Sequence, residues 1–392
     1  MDRRDFIKKT GIITAGSLFI PSFLKANSFS DNLYLHKKRL VIIQLSGGND
    51  GLNTVIPYGL DEYYQNRKVI GIPQADLLKI DEKFGLHPQL NGLHKLQKEG
   101  LLSIINSVGY PNPNRSHFRS MDIWHTASNA NEYLQTGWLG RFLDNNCTHA
   151  YQGIEIGGSL SLALKGKIKS GIALTNPKAF YDTMHSDFFN QLSNPSTNNN
   201  ELNYLYKVFN DTKNSAEYIF DQYKLKNNTT EYKGHFAQQL KQIATLLKSD
   251  IKTPVFYTEL GGFDTHVNQI ISQNRLLEQL DNGITTFVND LEKDDLLKDT
   301  TILVFSEFGR RLKENASKGT DHGAANCMFI IDKNLSKSAM LYNQIDLQNL
   351  ENGDPKFKVD FRSVYQEILQ NTLGVNAEKT LGRKYAPIQL FN

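Results

Sequence analysis

The chain has 392 residues, with 44 Lys and Arg against 41 Asp and Glu and a formal net charge of +3. At 39% hydrophobic and 22% charged it has the material for a large core, in two domains or one large α/β unit. Residues 1–26 hold Arg3, Arg4, Lys8, Lys9 and Lys25 against Asp2 and Asp5, which accounts for the whole +3. The remainder is near neutral, so charge gives no ground for nucleic-acid binding.

In chain order, "DRRDFIKKT" followed by "GIITAGSLFIPSFL" reads as a twin-arginine (Tat) export signal over residues 1–26. Its apolar run is shorter than the roughly 20 residues a bilayer span needs, and no later run is long enough. The mature chain, residues 27–392, is expected to be a soluble periplasmic or exported protein that meets the Tat translocase only during export. The two cysteines, Cys147 and Cys327, lie far apart and lack zinc-type spacing; they are expected to be buried thiols.

Five short apolar, β-branched runs read as buried strands: 39–45, 101–108, 254–260, 300–306 and 327–332. Helical periodicity marks 88–100, 268–293 and 361–374, with glycines closing the first and last. The alternation predicts an α/β fold with a mostly parallel central sheet covered by helices on both faces. Residues 190–203 read as a polar loop and 201–248 as mostly helical. A mainly helical insertion is therefore expected around 190–250, within a single domain.

Ligands of open α/β sheets bind beyond the carboxyl ends of the strands, so the residues after each strand are the ones to weigh. After 39–45 comes "SGGNDGLN" with Asp50 and Asn53. Asp50 lies between glycines, where turns also favour Asp. The glycines hint at a dinucleotide loop, but the G-x-G-x-x-G spacing is missing. After 101–108 comes "GYPNPNRSHFR". Ser116 there opens a helix, either as its N-cap or as a nucleophile where the helix N-terminus favours anions. His117 and Arg119 follow it. After 254–260 comes "GGFDTH", with Asp264 and His266 either in turn chemistry or on a metal. After 300–306 come Glu307, with Arg310 and Arg311 as local partners, and then "GTDHG" with Asp321 and His322. All of these would converge on one edge of the sheet. Oxygen and imidazole donors of this kind suit zinc first, then manganese or magnesium.

Ordered this way, the chain resembles the alkaline phosphatase-like superfamily, which includes sulfatases. More closely, "GGNDGLNTVIP", "SHF", "TGWLGR", "GGFDTH", "SEFGRR" with "GTDHGAA", and "DFR" resemble a large, mostly Tat-exported bacterial family with a domain of unknown function (DUF fifteen-oh-one). The resemblance implies the alkaline phosphatase-like fold. It implies Asp50, Asp264, His266, Glu307, Asp321 and His322 as ligands of one or two divalent metals. Ser116 becomes the nucleophile, with Arg119 assisting catalysis and Asn53 and His117 binding substrate.

The superfamily carries Asp-His-Gly directly after the fourth of these strands. Here Ser306-Glu307-Phe308-Gly309 stands there and Asp-His-Gly comes 14 positions later. Phe118 replaces the Pro that formylglycine maturation needs, which argues against that class of sulfatase. The expected function is an exported metal-dependent hydrolase of phosphate or sulfate esters, small or polysaccharide. The alternative is a non-catalytic exported binding protein on the same fold; a nicotinamide oxidoreductase rests on the glycine loop alone.

Overall fold

A computed structural model describes residues 38–191, 200–337, 341–342 and 345–392. The export signal, and part of the polar loop 190–203, lie outside the described residues.

The strands used below are β1 Arg39–Ser46, β2 Leu102–Gly109, β3 Gly153–Ile156, β4 Ile172–Leu174 and β5 Val255–Gly261. They continue with β6 Thr300–Phe305, β7 Arg310–Glu314, β8 Thr320–His322 and β9 Asn326–Ile331. The central sheet runs β2-β9-β6-β1-β5-β3-β4, with Leu341–Tyr342 and Val359–Asp360 both added to β2. β1 is parallel to β5 and to β6, and β3 is parallel to β5 and to β4. The antiparallel member is β9, between β6 and β2. The fold is thus α/β with a mostly parallel sheet.

β1 shows why the strand runs read as continuously apolar. Its side chains alternate between two cores, Val41, Ile43 and Leu45 in one and Leu40 and Ile42 in the other. The first core is closed by three helices: α1 Asn91–Lys98 through Leu93 and Leu96, α4 His235–Lys248 through Leu240 and Ile243, and α5 Gln269–Lys293 through Leu277, Leu280, Ile284 and Phe287. The second is closed by α2 His117–Thr126, α3 Trp138–Asn146 and α6 Phe361–Asn371. There Trp138 stacks on Tyr365 with ring centroids 4.2 Å apart, and Trp124 meets Tyr365 edge-on at 6.5 Å. Each of these fully buried aromatics is worth about 2–3 kcal/mol of burial.

Two features place the site. The first is the reversed direction of β9. Its amino end lies where the parallel strands have their carboxyl ends, so residues just before it, Asp321 and His322 among them, reach that same edge. The second is the β7–β8 hairpin, which pairs Arg310 with His322 and makes up most of the 14-position offset between Glu307 and Asp321. Gly323 N donates to Gly309 O at 2.8 Å, closing the hairpin base. Its tip lies on the segment after β5: Asn268 N donates to Ser317 O and Gln269 N to Lys318 O, at 3.0 and 2.9 Å. Among the described residues no helix is long and apolar enough to cross a membrane.

Candidate metal centre

The loops after β1 and β5 touch because glycine permits it. Gly47 has φ +116°, and a Cβ there would come within 2.5 Å of Asp264 N. Gly262, at φ +103°, turns the chain after β5, and Phe263 N then donates to Ser46 O at 3.1 Å. After β6, Ser306 Oγ donates to Leu45 O and accepts from Asn49 N, tying the third loop to the first. The start of α2 is held against the same edge by Ser120, whose hydroxyl donates to Glu307 O at 2.6 Å.

These contacts gather three imidazoles around one carboxylate. His266 Nε2 lies 2.9 Å and His322 Nε2 3.1 Å from Asp264 Oδ1, and the two nitrogens are 2.9 Å apart. His117 Nε2 lies 3.4 Å from Asp264 Oδ2 and is buried with no hydrogen-bond partner. The donor atoms of His117, Asp264 and His322 fall within 4.8 Å of one another. Phe308 backs the site, its ring centroid 4.8 Å from that of His117 and 4.7 Å from that of His322.

The far nitrogen of each imidazole faces an oxygen. His117 Nδ1–H donates to Glu307 Oε1 at 2.9 Å, and His322 Nδ1–H to Arg115 O at 2.7 Å. His266 Nδ1 lies 3.6 Å from Asp321 Oδ1. With Nδ1 protonated, the Nε2 atoms of His117 and His322 present lone pairs inward, the tautomer a metal ligand needs. Lone pairs and a carboxylate oxygen this close repel unless a proton or a cation lies among them. A tetrahedron with metal–ligand bonds of about 2.0–2.1 Å has edges of roughly 3.3 Å. The His266–His322 separation and the distances of His117, His266 and His322 from the Asp264 carboxylate are within a few tenths of an ångström of that. The donor set, three imidazoles and a carboxylate, fits zinc.

Charge around the cluster is arranged by Arg310, whose side chain is fully buried. Its Nη2 donates to Asp264 Oδ1 at 2.8 Å and to Phe263 O at 3.0 Å, and Nε donates to Gly48 O at 2.6 Å. Burial alone would raise the Asp264 carboxyl, but Arg310, through its hydrogen bond and its charge, holds it well below the usual carboxylate range. His117 is pushed up by its bond to Glu307, and His322 is pushed down by burial.

The remaining residues singled out in the sequence sit as follows. Glu307 and Asp321 stand behind imidazoles, and buried Glu307 also accepts from Gly47 N at 2.9 Å. Ser116 occupies the N-cap position of α2, exposed, and its hydroxyl makes no capping bond. Asp50 is buried and engaged elsewhere, accepting both Nη1 and Nη2 of Arg67 at 2.6 and 3.0 Å. Asn53 Oδ1 likewise accepts from Arg67 and from Tyr63. Arg119 donates to the carbonyls of Asn129, Ala130 and Glu132 and lies 3.8 Å over the Tyr133 ring. The structure therefore brings Asp264, His266, His322 and His117 together and spends Asp50, Asn53 and Arg119 on other partners. His117, expected with the substrate, instead stands with the other imidazoles, its Nε2 3.4 Å from Asp264 Oδ2. Sequence reasoning gave Arg310 only a local pairing, although "SEFGRR" carried the signal of a second cation beside the acid.

A family model described as "Protein of unknown function (DUF1501)" matches residues 37–331. The chain belongs to this DUF1501 family. No curated protein matches it. Solved structures similar to this DUF1501 chain at low identity include the following three. The C-terminal periplasmic domain of EcEptC from Escherichia coli, in complex with Zn, is 9% identical; 81% of this chain and 78% of that one are covered, with a TM-score of 0.38. A protein in the alkaline phosphatase superfamily from Vibrio parahaemolyticus is 14% identical over 88% and 69%, with a TM-score of 0.41. The PsFucS1 sulfatase from Pseudoalteromonas sp. is 12% identical over 90% and 71%, with a TM-score of 0.42.

Proposed function

We propose that this DUF1501 chain is an exported, metal-dependent hydrolase of phosphate or sulfate esters. What carries the reading is the convergence of His117, Asp264, His266 and His322, with Ser116, the residue before His117, at the N-cap position of α2 and its hydroxyl not used in capping. A divalent ion held by these four would act as a Lewis acid toward an ester oxygen and favour ionisation of a nearby hydroxyl.

The chain's own residues supply the rest. Ser116 Oγ is the nucleophile: it does not cap α2, and the next residue, His117, is anchored to Glu307. The N-terminus of α2, a ten-residue helix, favours the negative charge of a transferred phosphoryl or sulfuryl group. Arg310 offsets the charge of Asp264, and Glu307, Arg115 O and Asp321 set the orientation of the imidazoles. The twin-arginine sequence supports export through the pathway that carries folded proteins, in which a metal is loaded before transport.

The test is hydrolysis of aryl phosphates, phosphodiesters and aryl sulfates by the purified chain with zinc, manganese or magnesium, alongside Ser116→Ala. Turnover of one ester class that Ser116→Ala abolishes while keeping its metal is expected. Absence of turnover with every metal would leave a non-catalytic binding protein as the reading, whereas a Ser116→Ala variant as active as the parent would remove Ser116 as the nucleophile.

A further inference from the structure

We infer that the centre is mononuclear, and that the Arg67 guanidinium is a built-in cation that closes Asp50 to any second ion. This rests on the metal-centre reading above and goes beyond it, since the resemblance of the sequence makes Asp50 a ligand.

The donor and acceptor count carries it. A carboxylate offers about four lone-pair positions and a guanidinium five N–H donors. Asp50 Oδ1 accepts from Leu52 N at 3.2 Å and from Arg67 Nη2 at 3.0 Å; Oδ2 accepts from Arg67 Nη1 at 2.6 Å and from Gln269 Nε2. All four positions are filled. Arg67 is equally complete. Nη1 also donates to Asn53 Oδ1, Nη2 to Arg311 O at 2.9 Å and Nε to Leu312 O at 3.0 Å. Both side chains are 0% exposed. A metal ion at Asp50 would have to displace a bidentate partner that has no solvent to move into, and would then sit beside its positive charge. Nothing in this arrangement offers an ion a vacant lone pair.

Asp50 has a different task. Gln269, which donates to Asp50 Oδ2, accepts from Thr320 Oγ1 at 2.6 Å, and Thr320 lies two residues before His322 on β8. The chain Arg67–Asp50–Gln269–Thr320 therefore fixes the hairpin strand that delivers His322. Asp50 is a positioning residue for the metal centre rather than one of its ligands.

The deciding experiment counts metal on the full mature chain. The chelator-treated protein is titrated with zinc and its content per chain read by elemental analysis, for the parent, Asp50→Asn and His322→Ala. One equivalent in the parent, retained by folded Asp50→Asn and lost by His322→Ala, is expected. Two equivalents in the parent overturn the single-ion inference while leaving the metal centre intact. One equivalent lost in folded Asp50→Asn but kept in His322→Ala overturns it as well. No zinc in the parent overturns the metal-centre reading and this inference with it. The parent's count decides between one ion and two even if Asp50→Asn fails to fold.

Discussion

The Nε2 atoms of His266 and His322 face each other 2.9 Å apart across Asp264 Oδ1. Arg310 Nη1 lies 3.4 Å from His266 Nε2; where neither ring carries its proton on Nε2, two lone pairs face each other and the pair gains from a bound ion. A ligand present at 100 times its dissociation constant stabilises the folded state by about 2.7 kcal/mol. Zinc added to the chelated protein should therefore raise Tm by several degrees, and His322→Ala should remove most of that rise. An unchanged Tm across a zinc titration would count against the cluster as a metal site.

Glu307 tests the support behind the ligands. Its Oε1 accepts from both Gly47 N and His117 Nδ1, each at 2.9 Å. Glu307→Gln keeps the shape and removes the charge that makes the imidazole a better donor. A fall in zinc affinity of about 10- to 100-fold is expected, with helix content by circular dichroism unchanged.

The Asp50–Arg67 pair is fully buried, so removing one partner strands the other. Asp50→Asn should destabilise the chain by about 3–5 kcal/mol in urea unfolding, because a guanidinium is left in the interior without its counter-charge. An effect below about 1 kcal/mol, the size usual for exposed pairs, would show the site to be open to water.

His125 gives a pH dependence of known sign. Its Nε2 lies 2.9 Å from Gln44 Oε1 inside the second core, and burial pushes its pKa down from 6.5 to about 3. Between those values the unfolded chain binds the proton and the folded chain refuses it. Stability from this group is therefore complete above pH 6.5 and is lost as pH falls, at about 1.4 kcal/mol per unit. His125→Gln cannot titrate, so the stability difference between parent and variant should shift by about 2–3 kcal/mol between pH 6.5 and 4.5. A pH-independent difference would show that His125 is protonated in the fold.

The strand framework was legible because β1, β2 and β6 are buried along nearly their whole length, and β5 through its first four residues, so that they appear as mainly apolar runs. The residues after them were legible for the same reason, since a parallel sheet sends its carboxyl ends to one edge. What could not be read was which acid faces which cation. Asp50 and Arg67 are 17 positions apart across an irregular segment, and nothing in "YYQNRKV" marks an arginine that turns inward. The delayed Asp-His-Gly looked like a departure from the superfamily pattern. A hairpin accounts for it, as pairing Arg310 with His322 returns the chain to Glu307. The direction of β9 also escaped the sequence, because "CMFII" is as apolar as a parallel strand. Its reversal is what lets residues preceding a strand join residues following the others.

The position of the ion is the most direct test of the whole reading. Crystals of the mature chain grown with zinc, measured for anomalous scattering at the zinc absorption edge, would show it. A single peak is expected about 2.0–2.2 Å from His117 Nε2, His266 Nε2, His322 Nε2 and one oxygen of Asp264. A peak at Asp50, or none at the histidine cluster, would contradict it.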